Sequence, residues 1–218
     1  MIKESHLGRG PIAAPGYPFI LVAGGLTLAC CLFGWSGLTG LSLTATLFLL
    51  YFFRNPDRSA PADPVAIVAP ADGKVIRVDE LHESEFLHAP VRRVAIFMNV
   101  FDVHVNRAPV AGRVMVSRHF SGRFLAAYKE AADRANERQA TVWEMADGRQ
   151  VLAVQIAGLL ARRIIPCVAE GDALAKGEPF GMICFGSRVD LYLPAEAQVT
   201  VKVGDRVKAG ESVVGRWT

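Results

Sequence analysis

The chain is short of several features that would assign it a class at once. Among 218 residues it has four cysteines, Cys30, Cys31, Cys167 and Cys184, with no C-x-x-C pair and no histidine at ligand spacing. That excludes a disulfide framework and a zinc site, and leaves core thiols in a reducing compartment. The net charge is only +3 and no basic stripe occurs, which excludes a nucleic-acid binder. No Gly-rich dinucleotide fingerprint follows a strand and opens a helix. The most localised absence is of charge itself. From Gly10 to Phe53 there is no Asp, Glu, Lys or Arg, in a chain that is 51% hydrophobic overall.

This uncharged stretch is about twice the ~20 residues that one bilayer span needs. Glycines at 34, 37 and 40 divide it into two segments, 17–35 and 38–53. In lipid every backbone polar group must be satisfied internally, so the expectation for residues 1–53 is a hydrophobic helical hairpin serving as a membrane anchor. The hairpin either crosses the bilayer or lies within one leaflet. Lys3, Arg9, Arg54 and Arg58 flank it while its tip is uncharged, which puts both ends in the cytoplasm, at the inner membrane. Residues 54–64, "RNPDRSAPADP", read as a linker.

From residue 65 to 218 the character changes to short β-branched runs separated by Gly, Pro and Asp. The expected fold is mainly β (α+β), a sandwich or barrel-like domain. One helix is expected between Gly122 and Asn136, where apolar residues recur near helical spacing. Two internal repeats are visible. "APADGKV" (69–75) is echoed by "APVAGRV" (108–114), and "EGDALAKGE" (170–178) by "VGDRVKAGE" (203–211). The second pair reads as lipoyl-like glycine hairpins, in which glycine lets the chain reverse.

Against this background three sites carry chemistry. Asp72 places a carboxylate in a tight turn. In "NVFDVHVNRAP" (99–109), extended backbone would put Asp102, His104 and Asn106 on one face. In "MICFGSRVDLYLP" (182–194), Gly186, Ser187 and Arg188 interrupt an otherwise apolar run. Together "FFRNPDR" (52–58), "PADGKV" (70–75), "NVFDVHVNRAPVAG" (99–112), "NER" (136–138) and "FGSRVDLYLP" (185–194) resemble, in order and spacing, the short membrane-anchored phosphatidylserine decarboxylase proenzymes.

That resemblance implies a pyruvoyl-dependent carboxy-lyase. The chain would cut itself between Gly186 and Ser187, and Ser187 would become a covalent pyruvoyl group. The pyruvoyl ketone would form a Schiff base with phosphatidylserine and release CO2 to give phosphatidylethanolamine, the role pyridoxal phosphate plays elsewhere. Fragments 1–186 and 187–218 would stay associated, and relatives suggest a homodimer. The resemblance further implies an Asp/His/Ser set in which Asp72 orients a histidine that activates Ser187. Longer relatives carry D-Y-H-x-x-H where this chain has "DVHVNR". His104 is kept and Arg107 stands in place of the second histidine, so His104 alone is the candidate base. Arg107, Arg113 and Arg188 are candidate phosphate partners, since guanidinium forks match phosphate oxygens. No metal is expected. The alternative is a non-catalytic, membrane-tethered module similar to biotinyl or lipoyl carriers, though the lysine turn of those carriers is missing.

Overall fold

The computed structural model describes all residues except 1–6, 9, 126, 129–131, 159–162 and 185–186, together with the side chains of 132 and 134. The chain divides into two compact units, Met1–Asp57 and Arg58–Thr218.

The first unit is a helical hairpin, α1 (Tyr17–Leu32) and α2 (Ser36–Phe52). Of the three glycines only Gly34 makes the turn, at φ +71°, while Gly37 and Gly40 lie inside α2. The helices touch through the Thr27 and Thr46 hydroxyls, 3.2 Å apart. Both hydroxyls also bond carbonyls four residues back, so neither polar atom depends on water. Leu21, Val22, Leu32, Phe33 and Leu41 are each more than two-thirds exposed, a surface suited to hydrocarbon. By length and composition one helix, Ala14–Leu32, is long and apolar enough to cross a membrane. The 17 residues of α2 rise only about 26 Å, against a hydrocarbon core of ~30 Å.

The second unit is strand-rich. In chain order its strands are β1 (Ala66–Val68), β2 (Gly73–Glu83), β3 (Ala89–Met98), β4 (Val105–Arg107), β5 (Gly112–Phe120), β6 (Arg138–Glu144), β7 (Gln150–Ile156), β8 (Ile164–Pro166), β9 (Ala173–Leu174), β10 (Pro179–Ile183), β11 (Ser187–Pro194), β12 (Ala197–Val199), β13 (Arg206–Val207) and β14 (Val213–Trp217). Eight form one curled sheet in the order β13-β2-β3-β11-β7-β6-β5-β9. The others form two three-stranded sheets, β1-β14-β12 and β4-β10-β8. One core lies between the large sheet and the two small ones. It includes Ile96, Trp143, Val189 and Leu191 from the former and Ile67, Phe180, Ile183 and Trp217 from the latter. The helix expected over 122–136 falls partly outside the described residues, and what is described there is a short α3, Ala132–Ala135.

The sequence repeats mark a complete structural duplication. Lys74 and Gly73 pair with Arg206 and Val207, just as Arg113 and Gly112 pair with Ala173 and Leu174. Ala66, Ile67 and Val68 face Arg216, Gly215 and Val213 in the register in which Val105, Asn106 and Arg107 face Met182, Gly181 and Pro179. The N–H of Gly210 bonds the Ala69 carbonyl and that of Gly177 bonds the Ala108 carbonyl, both at 2.8 Å. Both glycines have positive φ, which their hairpins require. The copies are nested. β4 to β10 run without interruption, and the other copy is split around them into β1–β3 and β11–β14. The chain therefore passes between copies twice, from Met98 to Val105 and from Ile183 to Ser187.

The β2–β3 hairpin is closed by Glu83, whose carboxylate accepts the backbone N–H groups of Glu85, Phe86 and Leu87. Burial pushes its carboxyl up, but those three bonds outweigh it and hold the pKa below the ordinary value. A lowered pKa contributes stability that is present above the unfolded pKa and is lost as pH falls through the folded one. Glu83→Gln should therefore cost about 1–2 kcal/mol at neutral pH. In melts taken from pH 7 down to 3, the gap to the parent should close in the acid range.

Candidate active site

The two crossings between copies lie side by side. Ser187 opens β11 and pairs with Met98, the last residue of β3. The N–H of Ile183, the last residue of β10, bonds the carbonyl of His104, just before β4, at 3.3 Å. Ser187 and His104 are therefore each next to a point where the chain changes copy. "MICFGSRVDLYLP" is not one interrupted strand. Its first part belongs to the β4-β10-β8 sheet and its second to the large sheet, between β3 and β7. Gly186 lies outside the described residues.

Ser187 is fully buried, and among the described residues its Oγ has no hydrogen-bond partner. His104 is also fully buried. Its Nδ1 lies 2.9 Å from the Asp102 carbonyl oxygen. A carbonyl can only accept, so Nδ1 carries the proton and Nε2 of the neutral ring carries the lone pair that a base needs. The turn Asn99–Asp102 sets this geometry. Asp102 is not on a strand face with His104, because its carboxylate caps the Asn99 N–H at 2.9 Å and the strand begins only at Val105. Around the pair runs a buried polar string that sequence reasoning took up only through Asn106. Gln155 donates to the Asn106 amide oxygen at 2.8 Å, and Asn106 points its amide nitrogen at the Met98 sulfur. Gln155 was visible as the one polar residue in "VLAVQIA". Cys184 offers no rival nucleophile, since burial pushes its thiol up to about 11 and Arg163 only partly opposes that.

Asp72 occupies the position in its copy that Ala111 holds in the other, so here the duplication is broken by a carboxylate. One oxygen accepts the Ala209 N–H at 2.7 Å and the other pairs with Arg58 at 2.8 Å. Arg58 also donates to the Ala209 carbonyl at 3.1 Å. Its side chain is only 6% exposed, so it is an internal clamp and not a charge flanking the apolar hairpin. The partners seen for Asp72 are thus Ala209 and Arg58, whereas His104 Nδ1 is held by the Asp102 carbonyl. Asp72 sits in a turn that needs glycine next to it. Gly73 has φ +143°, and a Cβ there would come 2.1 Å from the Phe97 carbonyl oxygen.

The three candidate phosphate arginines have different surroundings. Arg107 is buried and donates to the Gly177 carbonyl at 3.1 Å. Arg113 is exposed on β5. Arg188 is 1% exposed and engaged by Ala127, Asp133 and Asp190. Asp133 gathers arginines from three strands, accepting from Arg77, Arg93 and Arg188. Asp133 and Asp190 were missed from sequence. The signal for Asp190 was an acid two residues from an arginine in an apolar strand, hence on the same face. In the "NER" stretch, Asn136 is fully buried and bonds Leu125 and Ala157, which orders the segment that contains Ala127. Among the described residues no cluster of His, Cys, Asp and Glu could hold a metal.

Comparison with known proteins decides the family. A family model described as phosphatidylserine decarboxylase matches residues 45–215. Curated relatives named phosphatidylserine decarboxylase proenzyme cover nearly the whole chain. The one from Syntrophus aciditrophicus is 49% identical over 207 residues, 94% of this chain and 97% of its own. Those from Syntrophotalea carbinolica and Geotalea uraniireducens are 48% and 45% identical over 205 residues, each covering 94% of this chain and 96% of the relative. The chain belongs to the phosphatidylserine decarboxylase family. Membership favours a decarboxylase proenzyme over a non-catalytic carrier-like module, whose glycine hairpins this decarboxylase fold also contains.

Proposed function

We propose that the chain cuts itself between Gly186 and Ser187, converts Ser187 to a pyruvoyl group, and then decarboxylates phosphatidylserine to phosphatidylethanolamine. The observation that carries this reading is the Ser187 hydroxyl, buried without a partner among the described residues at the crossing between two sheets. An unsatisfied buried hydroxyl costs about 1–3 kcal/mol, a loss a fold tolerates where the atom has chemical work.

In self-cleavage, Nε2 of His104 takes the Ser187 hydroxyl proton and Oγ adds to the Gly186 carbonyl carbon. The C–N bond breaks as the C–O ester bond forms, and the Ser187 nitrogen becomes an amine. Loss of the Ser187 α-proton then expels the ester oxygen, leaving a Gly186 carboxylate and a dehydroalanine. Water replaces its nitrogen, ammonia leaves, and a pyruvoyl cap remains. That cap supplies a ketone able to hold the substrate amine and accept the electron pair of the breaking C–COO⁻ bond. After the cut β10 is held by β4 and β8, and β11 by β3 and β7, so fragments 1–186 and 187–218 stay assembled through strand pairing and a shared core. The same His104 nitrogen is the candidate donor for the carbon left after CO2 departs. Asp72 acts as a positioning residue through Arg58 and the turn at Ala209. The apolar hairpin holds the enzyme at the cytoplasmic face of the inner membrane, where the phospholipid is.

Intact-mass measurement of the purified chain tests the proposal. Two fragments are expected, the smaller one lacking an N-terminal amine and trapping phosphatidylserine on borohydride reduction. One unbroken chain overturns it. His104→Ala should slow processing by about 10²–10⁴-fold, the usual contribution of a positioned base. Asp72→Asn should slow it less, because an amide oxygen can still accept the Ala209 N–H. Time courses of fragment appearance on gels rank the two variants.

A further inference from the structure

The catalytic unit has an exposed rim at the Ser187 end of its large sheet that no step above uses. Phe101 is 64% exposed, Tyr128 60% and Val203 59%. They come from three separate segments that the structure draws into one neighbourhood. Asp102 pairs with Arg206 at 3.5 Å, which sets the Phe101 turn against the Val203 turn. Arg206 faces Lys74 across β13 and β2, and Lys74 faces Phe97 across β2 and β3. The Tyr128 ring meets Phe97 edge-on at 6.3 Å. Phe97 in turn pairs with Arg188, the residue after Ser187.

Among the described residues of this rim the exposed charges are cationic, and one of them, Arg206, is paired with Asp102. Lys74, Lys202 and Arg206 are exposed. The nearby carboxylates are turned inward, Asp102 capping Asn99 with a side chain only 12% exposed, and Asp205 capping the Lys202 N–H at 3.0 Å. Apolar tips on separate turns, interleaved with cations, suit the boundary between headgroups and acyl chains. A flat, well-packed apolar patch would suit a protein partner better.

The geometry points to a bilayer-docking rim in which Phe101, Tyr128 and Val203 dip among headgroups while Lys74 and Lys202 pair with anionic phospholipid and Arg206 holds the turns together through Asp102. The inference rests on the phospholipid reading above and adds the surface through which the catalytic unit meets its substrate. The rim engages the bilayer in its own right, beyond the tether that the apolar hairpin provides.

The test uses the full chain reconstituted in phosphatidylcholine vesicles containing a minority of phosphatidylserine, with and without phosphatidylglycerol. A parallel assay uses short-chain phosphatidylserine dispersed below its micelle concentration. Lys74→Glu/Lys202→Glu should lower kcat/KM on vesicles at low salt by at least the roughly fivefold per lysine that removing a charge implies. The loss should shrink as salt is raised. Val203→Asp should lower the vesicle rate at any salt. Both variants should cleave themselves fully and turn over the dispersed lipid at the parent rate. Parent-like rates on vesicles overturn the rim, and so do equal losses on both substrates, which would make these residues part of the catalytic pocket. If the parent turned over neither substrate, the decarboxylase reading would fail instead, and that outcome is separate.

Discussion

Replacing Ser187 with alanine is expected to leave the purified protein as a single 218-residue chain with no fragments and no decarboxylase activity. The loss should be total because two functions sit on one residue. In the proposed reaction Oγ is the nucleophile that opens the peptide bond, and Ser187 is the residue that the cut transforms. Cys184, three residues away, cannot stand in for it, since burial pushes its thiol up to about 11. The variant also separates chemistry from folding. Alanine removes a buried hydroxyl that has no partner among the described residues, so it deletes an unsatisfied group and leaves only a void the size of one oxygen. The uncut variant should melt no lower than the processed parent. A variant that fails to cleave and also melts far lower would point to a structural role for Ser187. Normal fragments from Ser187→Ala would end the account of the reaction.

Most of the strands were legible in the sequence because Gly, Pro and Asp separate the β-branched runs, whereas the two-residue β9 and β13 carry no such run. The glycine hairpins were legible because the same spacing occurs twice. The nesting was not. Four similar motifs in the order "APADGKV", "APVAGRV", "EGDALAKGE", "VGDRVKAGE" do not say which pair docks together, since either hairpin would suit either partner. Only register decides it, through Lys74 on Arg206 and Arg113 on Ala173. The site was legible in part for the same reason. Ser187 stands out as a polar residue in an apolar run, whereas Asp72, in a turn, and His104 were singled out with it through the family resemblance of their motifs. Their partners depend on long-range contact, which local pattern does not encode. Arg58 looked like a charge flanking the anchor and instead clamps Asp72. Asp102 looked like a strand residue and instead caps a turn.

Arg188→Met is expected to destabilise the protein by about 3–5 kcal/mol, the cost of stranding a buried charge. Arg188 is 1% exposed, donates to the Ala127 carbonyl at 2.8 Å, and pairs with Asp190 at 2.8 Å and with Asp133. Asp190 is fully buried, with Arg93 4.0 Å away as its other cation. Burial pushes the Asp190 carboxyl up to about 6, against the pull of Arg188 and Arg93. A raised carboxyl pKa gives a contribution that is full below the unfolded value of 3.8 and is lost as pH rises through about 6. Without Arg188 the folded pKa climbs further and that loss extends to higher pH. The deficit of the variant should therefore grow from pH 5 to pH 8. In the uncut Ser187→Ala background, melting should fall by on the order of 10 °C near neutrality. Adding Asp190→Leu should recover most of it, since an apolar pair can replace a buried ionic one. The same series distinguishes the two roles open to Arg188. If its guanidinium holds the substrate phosphate, the processed enzyme carrying Arg188→Met will show a raised KM with an unchanged melting point. If it is the internal clamp seen here, the melting point moves and carries its pH dependence with it.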